Sequence, residues 1–176
     1  MTQHVILSAI GSDRPGLVDE VSECIFQRGG NIEDSRMVNL RGQFAIMILV
    51  AGAPEALERM RSEAWQLSQK SGLAAEVRQA TAVNVGASAE TMPYRLTATA
   101  IDQPGLVHRF SHLLREMRVN IESLDTKLAA APITGTPLFE MEMVLSVPRS
   151  TSISKLRETL GKLAEEINID WELKAG

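Results

Sequence analysis

D-R-P-G-L-V, Asp13 to Val18, returns as D-Q-P-G-L-V, Asp102 to Val107, a displacement of 89 residues. The same displacement lays Asn31, Ile32 and Glu33 on Asn120, Ile121 and Glu122 without a gap. Val5–Asn39 and Tyr94–Leu128 share 11 identities in 35 positions, where unrelated chains of ordinary composition share about two. Self-similarity is read before any single element because it sets the architecture. This chain of 176 residues is a duplicated unit.

Working outward, the apolar pattern repeats as well. Leu17, Val18, Val21, Cys24 and Ile25 fall on Leu106, Val107, Phe110, Leu113 and Leu114, one helical face used twice. Leu57, Met60, Ala64 and Leu67 match Ile153, Leu156, Leu160 and Leu163 at a displacement of 96, so the second copy carries surplus residues, placed in Ala129–Pro137. Strands are expected at His4–Ile10 and Tyr94–Ile101, followed by helices starting at Pro15 and Pro104, since proline suits the first helical position. A hairpin follows in the first copy, Asn31–Leu40 and Phe44–Val50, with Arg41 and Gly42 at its turn. In the second, Phe139, Met141, Met143, Leu145 and Val147 alternate with mostly polar residues, a strand with one buried face.

A second helix is expected over Pro54–Ser71, ended by Gly72, and its counterpart over Ser152–Glu166 with a Ser or Thr cap. Closing strands follow at Leu73–Arg78 and at the alternating Ile167, Ile169, Trp171 and Leu173. The order is βαββαβ twice, predicting an α+β protein of two ferredoxin-like domains in tandem. Residues 1–79 make the first, 93–176 the second, and 80–92, rich in Ala, Ser, Thr and Gly, the linker.

Composition narrows the function classes. Eighteen Lys and Arg against 22 Asp and Glu give a net charge of −4, the wrong sign for a surface that neutralises phosphates, so direct nucleic-acid binding is not expected. A fold of this kind that reads RNA stacks bases on aromatic residues of its central strands, and the chain is only 4% aromatic. One cysteine, Cys24, permits neither an internal disulfide nor a CxxC metal site, and it falls on the apolar helical stripe as an inert core residue. The longest apolar run, Ala45–Ala51, is far shorter than a membrane span. MTQHVILSAIGSD lacks a basic head before its apolar stretch. A cytoplasmic location is expected.

No catalytic constellation is visible, and an enzyme is not expected. A phosphate cradle of the small-phosphatase kind would need a positioned Arg in the first loop, and although Arg14 is there, its counterpart is Gln103. His108 and His112 stand four apart with no third ligand and align with Asp19 and Glu23, outside the apolar stripe, so they read as a solvated face rather than a metal site. His4 has no acid or nucleophile beside it in sequence. Trp65 falls off its helix's seam and suggests a contact surface.

The repeated D-x-P-G-L-V at a strand–helix junction, followed fifteen residues after the Gly by N-I-E, resembles the ACT domain family, a small-molecule regulatory module of amino-acid metabolism. Two copies with no attached enzyme or DNA-binding segment are similar to the glycine cleavage system transcriptional repressor family. The resemblance covers nearly the whole chain outside the linker. It implies a small amino acid, with glycine the first candidate, as effector, sites between two such domains near these loops, and a DNA-binding transcriptional regulator as protein partner. No cofactor or metal is implied.

Physical chemistry gives the motif a use beside that resemblance. A helix start presents unsatisfied amides and positive potential, suited to a carboxylate. Gly16 and Gly105 permit close approach, Asp13 and Asp102 can hold an ammonium group, and Asn31 and Asn120 offer donor and acceptor. The candidate contacts are Ser12, Asp13, Arg14, Pro15, Gly16, Leu17, Asn31 and Ile32. In the second copy they are Asp102, Gln103, Pro104, Gly105, Leu106, Asn120 and Ile121. The more polar first loop is favoured. The competing structural reading makes the two Asp residues helix caps and the two Asn residues turn closers. Exposed sheet edges and one open sheet face per domain also predict pairing, with a homodimer expected. The alternative function is an interaction module that needs no ligand.

Overall fold

A computed structural model describes residues 3–80, 90–130 and 135–176. The chain divides into two compact units, Met1–Ala82 and Val83–Gly176. The first contains β1 (Gln3–Ser12), α1 (Leu17–Gln27), β2 (Asn31–Leu40), β3 (Gln43–Gly52), α2 (Pro54–Ser62), α3 (Ala64–Ser71) and β4 (Ala74–Gln79). The second contains β5 (Thr91–Ile101), α4 (Leu106–Glu116), β6 (Asn120–Ala130), β7 (Pro137–Pro148), α5 (Ile153–Ile167) and β8 (Asp170–Ala175). Each unit is a four-stranded antiparallel sheet, ordered β2-β3-β1-β4 and β6-β7-β5-β8. The ferredoxin-like α+β architecture is there in both copies. Most of the expected linker, residues 81–89, lies outside the described residues, and β5 begins three residues ahead of the expected Tyr94.

Alternation builds each core. Val5, Leu7 and Ala9 of β1 and Phe44, Ile48 and Val50 of β3 are buried under Leu17, Val21 and Ile25 of α1, spaced i, i+4, i+8. Leu96, Ala98, Met141, Met143 and Leu145 lie likewise under Leu106, Phe110 and Leu114 of α4. Each fully buried Leu, Ile or Phe is worth roughly 1.5–3 kcal/mol of transfer free energy. Two residues of the expected helical stripe sit at its margin: Val18 is 50% exposed and Cys24 is half-buried, with burial raising its thiol pKa.

Three expectations are corrected. The first helices do not begin at Pro15 and Pro104. The caps are Gly16 and Gly105 at φ 93° and 91°, a left-handed conformation favoured only by glycine, so each proline lies with its glycine in the turn and Leu17 and Leu106 start the helices. The helix over Pro54–Ser71 is two pieces, broken at Glu63 (φ −105°, ψ 9°). Arg28 spans the break, donating to Glu63 at 3.1 Å and to Gln66 at 2.8 Å, and Trp65 faces solvent. The last strand starts at Asp170, because Asn168 ends α5 in the left-handed region at φ 53°. Ser152 caps α5 through Lys155 N–H. The surplus residues are resolved by register. Leu40 pairs with Gln43 across the turn of Arg41 and Gly42, both at positive φ, whereas Ala129 pairs with Leu138. Residues 131–134 of that longer connection lie outside the described residues.

Candidate ligand site at the strand to helix loops

The Gly16 turn makes Glu20 N–H the first to enter the helical ladder, bonding to the Gly16 carbonyl at 3.0 Å. The amides of Leu17, Val18 and Asp19 are left outside that ladder at the positive end of α1. The second copy repeats this with Arg109 N–H on the Gly105 carbonyl at 3.0 Å. The cap positions are held by Gly16 and Gly105, three residues beyond Asp13 and Asp102, so the two Asp residues are not the helix caps that the structural reading made them.

Asp13 is held to the hairpin instead. Its N–H donates to the Gly42 carbonyl at 2.8 Å, and its carboxylate accepts from Asn39 Nδ2 at 2.5 Å, while Asn39 Oδ1 accepts from Gly42 N–H at 3.2 Å. Arg14 lies back over the helix. It forks onto the Glu20 carboxylate at 2.7 and 2.9 Å and donates to the Ser71 carbonyl at 3.2 Å. That pairing raises the Arg14 pKa and holds the Glu20 carboxyl below its ordinary range, in both cases chiefly through the side-chain hydrogen bond.

A cavity of about 300 Å³ opens here, lined by Asp13, Arg14, Gly16, Leu17, Val18, Asp19, Met37 and Phe44. Four of these, Asp13, Arg14, Gly16 and Leu17, are among the sequence candidates; Val18, Asp19, Met37 and Phe44 are new. Met37 and Phe44 could have been found from the hairpin, since the Arg41–Gly42 turn brings the end of β2 back beside β3. An anion at the tip would meet the amides but also the carboxylates of Asp13 and Asp19, the Glu20 carboxylate being taken up by Arg14. A zwitterion, with its ammonium toward the acids, fits that field better than a simple anion.

Asn31 and Ile32 do not join this cavity. Asn31 pairs with Ala51, which pairs with His4, at the opposite end of the sheet from Ser12 and Asp13. The ten residues of β2, at ~3.3 Å each, put about 30 Å between them. α1 returns the chain to its starting end before β2 begins, which is why adjacency in the motif is not adjacency in space. Asn120 and Ile121 stand in the same relation to Asp102, and Asn120 is engaged with Glu122 at 2.7 Å.

The second loop differs in detail. Asp102 N–H donates to the Pro137 carbonyl at 3.2 Å, but Leu128 replaces Asn39, so the Asp102 carboxylate lacks the amide donor that Asp13 has. α4 has no acid in its first turn. A cavity of about 400 Å³ lies on the other side of the loop, lined by Ile101, Gln103, Arg109, Glu166, Ile167 and Asn168, with Arg109 and Glu166 paired at 2.6 Å. His108 and His112 are exposed, their rings 6.0 Å apart, and no cluster of three metal-ligating side chains occurs among the described residues. No helix among them is long and apolar enough to cross a membrane.

This strand–turn–helix geometry has known parallels. The ACT domain family pattern matches residues 3–78. A UPF0237 protein of Methanopyrus kandleri is 33% identical over 75 residues, 42% of this chain and 82% of that relative. The chain belongs to the ACT domain family. It is a tandem ACT protein, with the ACT-type βαββαβ unit in both halves, and it resembles the glycine cleavage system transcriptional repressors. The repressor of Escherichia coli K12 is 25% identical over 170 residues, covering 95% of this chain and 87% of its own. Among solved structures, an unassigned protein from Galdieria sulphuraria superposes with a TM-score of 0.82 at 27% identity, over 100% of this chain and 99% of that one. A candidate glycine cleavage system transcriptional repressor gives 0.70 at 22% identity over 99% and 97%, a likeness of fold.

Proposed function

We propose that this tandem ACT protein is a non-catalytic regulator that binds a small amino acid at its strand–helix loops and, through contact between proteins, modulates a DNA-binding transcriptional regulator of amino-acid metabolism. The observation that carries the reading is the small cavity where the α1 amides, the acids Asp13 and Asp19 and the apolar floor of Leu17 and Phe44 converge. Its volume lies at the small end of ligand pockets, roughly 300–1,000 Å³. The likeness to the E. coli glycine cleavage system transcriptional repressor supports the regulatory part and makes glycine the first effector to test.

The proposed contacts are Ser12, Asp13, Arg14, Pro15, Gly16 and Leu17, and by equivalence Asp102, Gln103, Pro104, Gly105 and Leu106. Asn31, Ile32, Asn120 and Ile121, at the far ends of their own sheets from these loops, are left out of the proposed contacts. Signalling requires the effector to favour one of two arrangements, because equal affinity for both shifts nothing. A thermal-shift screen against the proteinogenic amino acids tests the ligand part. Binding at 100 times Kd stabilises by about 2.7 kcal/mol, and no shift with any of them at millimolar concentration rejects it.

A second reading, an interaction module without ligand, draws on the internal satisfaction of the first loop: Asp13 is engaged by Asn39 and Arg14 by Glu20. It predicts partner capture that is indifferent to amino acids and to Asp13→Ala with Asp102→Ala. Loss of a measured amino-acid response in that double variant, with the fold intact, eliminates it.

A further inference from the structure

An antiparallel sheet with helices on one side ordinarily turns polar residues to the other. The second unit obeys except at its end, where Ile101 pairs with Leu138 and is 61% exposed. On the face of its sheet away from the helices, Thr99 pairs with Glu140 and Asp170, Thr97 with Glu142 and Glu172, and Arg95 with Val144 and Lys174. The first unit does not. At the equivalent places Ile10 pairs with Ala45 and Ala74, Ser8 with Met47 and Glu76, and Ile6 with Leu49 and Arg78. Ile10 and Met47 are each 56% exposed, and Val38, on β2 opposite Ala45, is 45% exposed. The duplication has thus kept one open face charged and made the other apolar.

The edges of the apolar face carry charges in a particular order. Across one row of the sheet run Arg36 on β2, Met47, Ser8 and Glu76 on β4; across the next run Asp34, Leu49, Ile6 and Arg78. Each row therefore has opposite charges at its two ends, and the order of signs reverses from one row to the next. In the isolated chain these charges are neutralised along their own strands, Arg36 on Asp34 at 2.5 Å and Arg78 on Glu76 at 2.8 Å, all four well exposed.

We infer that this face of the first unit is covered by the same face of a second copy of the chain, about a twofold axis parallel to the strands and lying over the boundary of β1 and β3. That axis lays β2 on β4 and β3 on β1 of the other copy. Every row then meets itself reversed: Arg36 faces Glu76, Asp34 faces Arg78, Met47 packs over Ser8, Ala45 over Ile10 and Val38 over Ala74. In two rows large residues meet small ones and in the third Leu49 meets Ile6, while each charge exchanges its partner for one of the same sign. Sheets packed in the aligned way cross at about 30°, which long Arg and Glu side chains can span. A closed twofold contact demands self-complementarity, and the reversed order of edge charges supplies it. The inference stands independently of any amino-acid ligand.

Sedimentation velocity and light scattering on the full chain test it. The wild-type chain is expected at the mass of two chains, and Met47→Glu, which copies Glu142 of the second unit, at the mass of one. Arg36→Glu and Glu76→Arg should each weaken the dimer on the order of 100-fold, since like-charge contacts across an interface cost several kcal/mol. The two together should restore it. Circular dichroism reports folding of each variant. If Met47→Glu unfolds, the exposed charge pair decides the matter. A monomeric wild-type chain, a folded Met47→Glu dimer, or a double charge exchange no tighter than its singles would overturn the inference.

Discussion

Arg14 and Gln103 stand at equivalent positions and tie their loops to the same point of the fold. Arg14 donates to the Ser71 carbonyl at 3.2 Å, and Gln103 donates to the Ile167 carbonyl at 3.1 Å. Ser71 and Ile167 are the last residues of α3 and α5, where helix carbonyls lack donors of their own. The exchange of side chain that argues in the sequence against a repeated cationic site keeps one contact by two chemistries. Arg14 adds the fork onto Glu20, and Gln103 has no counterpart of it.

Gln103→Ala should therefore lower the stability of the second unit by about 1 kcal/mol, the usual net worth of a hydrogen bond, whereas Arg14→Gln should leave the first unit's tie in place. Urea denaturation followed by circular dichroism measures both. An unchanged midpoint for Gln103→Ala would remove the tie from the account of loop position.

The Arg14–Glu20 pair gives the fold an acid-sensitive element. Glu20 is held below its ordinary value of 4.5 in the folded chain. A depressed carboxyl pKa contributes stability above the unfolded value and loses it as pH falls through the folded one. The melting temperature of the wild-type chain should thus exceed that of Glu20→Gln near neutrality. The gap should narrow below pH 4.5 and close once Glu20 is protonated in both states. A gap that is constant with pH would assign the effect to shape rather than charge.

The duplication and the element order were legible because they rest on local periodicity: Leu17, Val21 and Ile25 repeat as Leu106, Phe110 and Leu114 in any context, and all six are buried. The loop as a polar, glycine-turned helix entrance was legible too. The grouping of Asp13 with Asn31 was a motif distance mistaken for a spatial one, and only the course of α1 back along the sheet reveals it. The engagement of Asp13 by Asn39 depends on where a two-residue turn returns the chain, a property of register. The break at Glu63 has no glycine or proline to announce it. The contrast of the two open faces was present in the sequence as Met47 against Glu142 and Ile10 against Thr99, but becomes readable only when the strands are paired.

Asn39→Leu, which gives the first loop the residue found at Leu128, should separate the two functional readings. The substitution removes the amide from the Asp13 carboxylate and the acceptor from Gly42 N–H. A modest loss of stability, about 1 kcal/mol, is expected. If Asp13 holds an ammonium group, its release from Asn39 should tighten amino-acid binding about fivefold by calorimetry, the equivalent of ~1 kcal/mol. Weaker binding would make Asn39 itself a ligand contact.

Gly30 tests how independently the two cores have diverged. A Cβ there would lie 2.7 Å from Val50 Cγ1, 2.8 Å from Met60 Cε and 3.0 Å from Ile25 Cγ2, closer than packed carbons tolerate. The second unit has Val119 at this position, buried at 5% exposure, opposite Leu156 in place of Met60. One core is filled from the helix by a long flexible side chain, and the other from the strand approach by a branched one. Gly30→Ala should cost about 1–3 kcal/mol through overpacking. Because the Met60 terminus is one of the colliding groups, Met60→Leu should recover part of that loss in the double variant while being mildly unfavourable alone. A coupling energy of about 0.5 kcal/mol or more in the double-mutant cycle is expected for residues in such contact. Additive effects would mean that Val50 on β3 takes the strain and that the helix is not what excludes a side chain at Gly30.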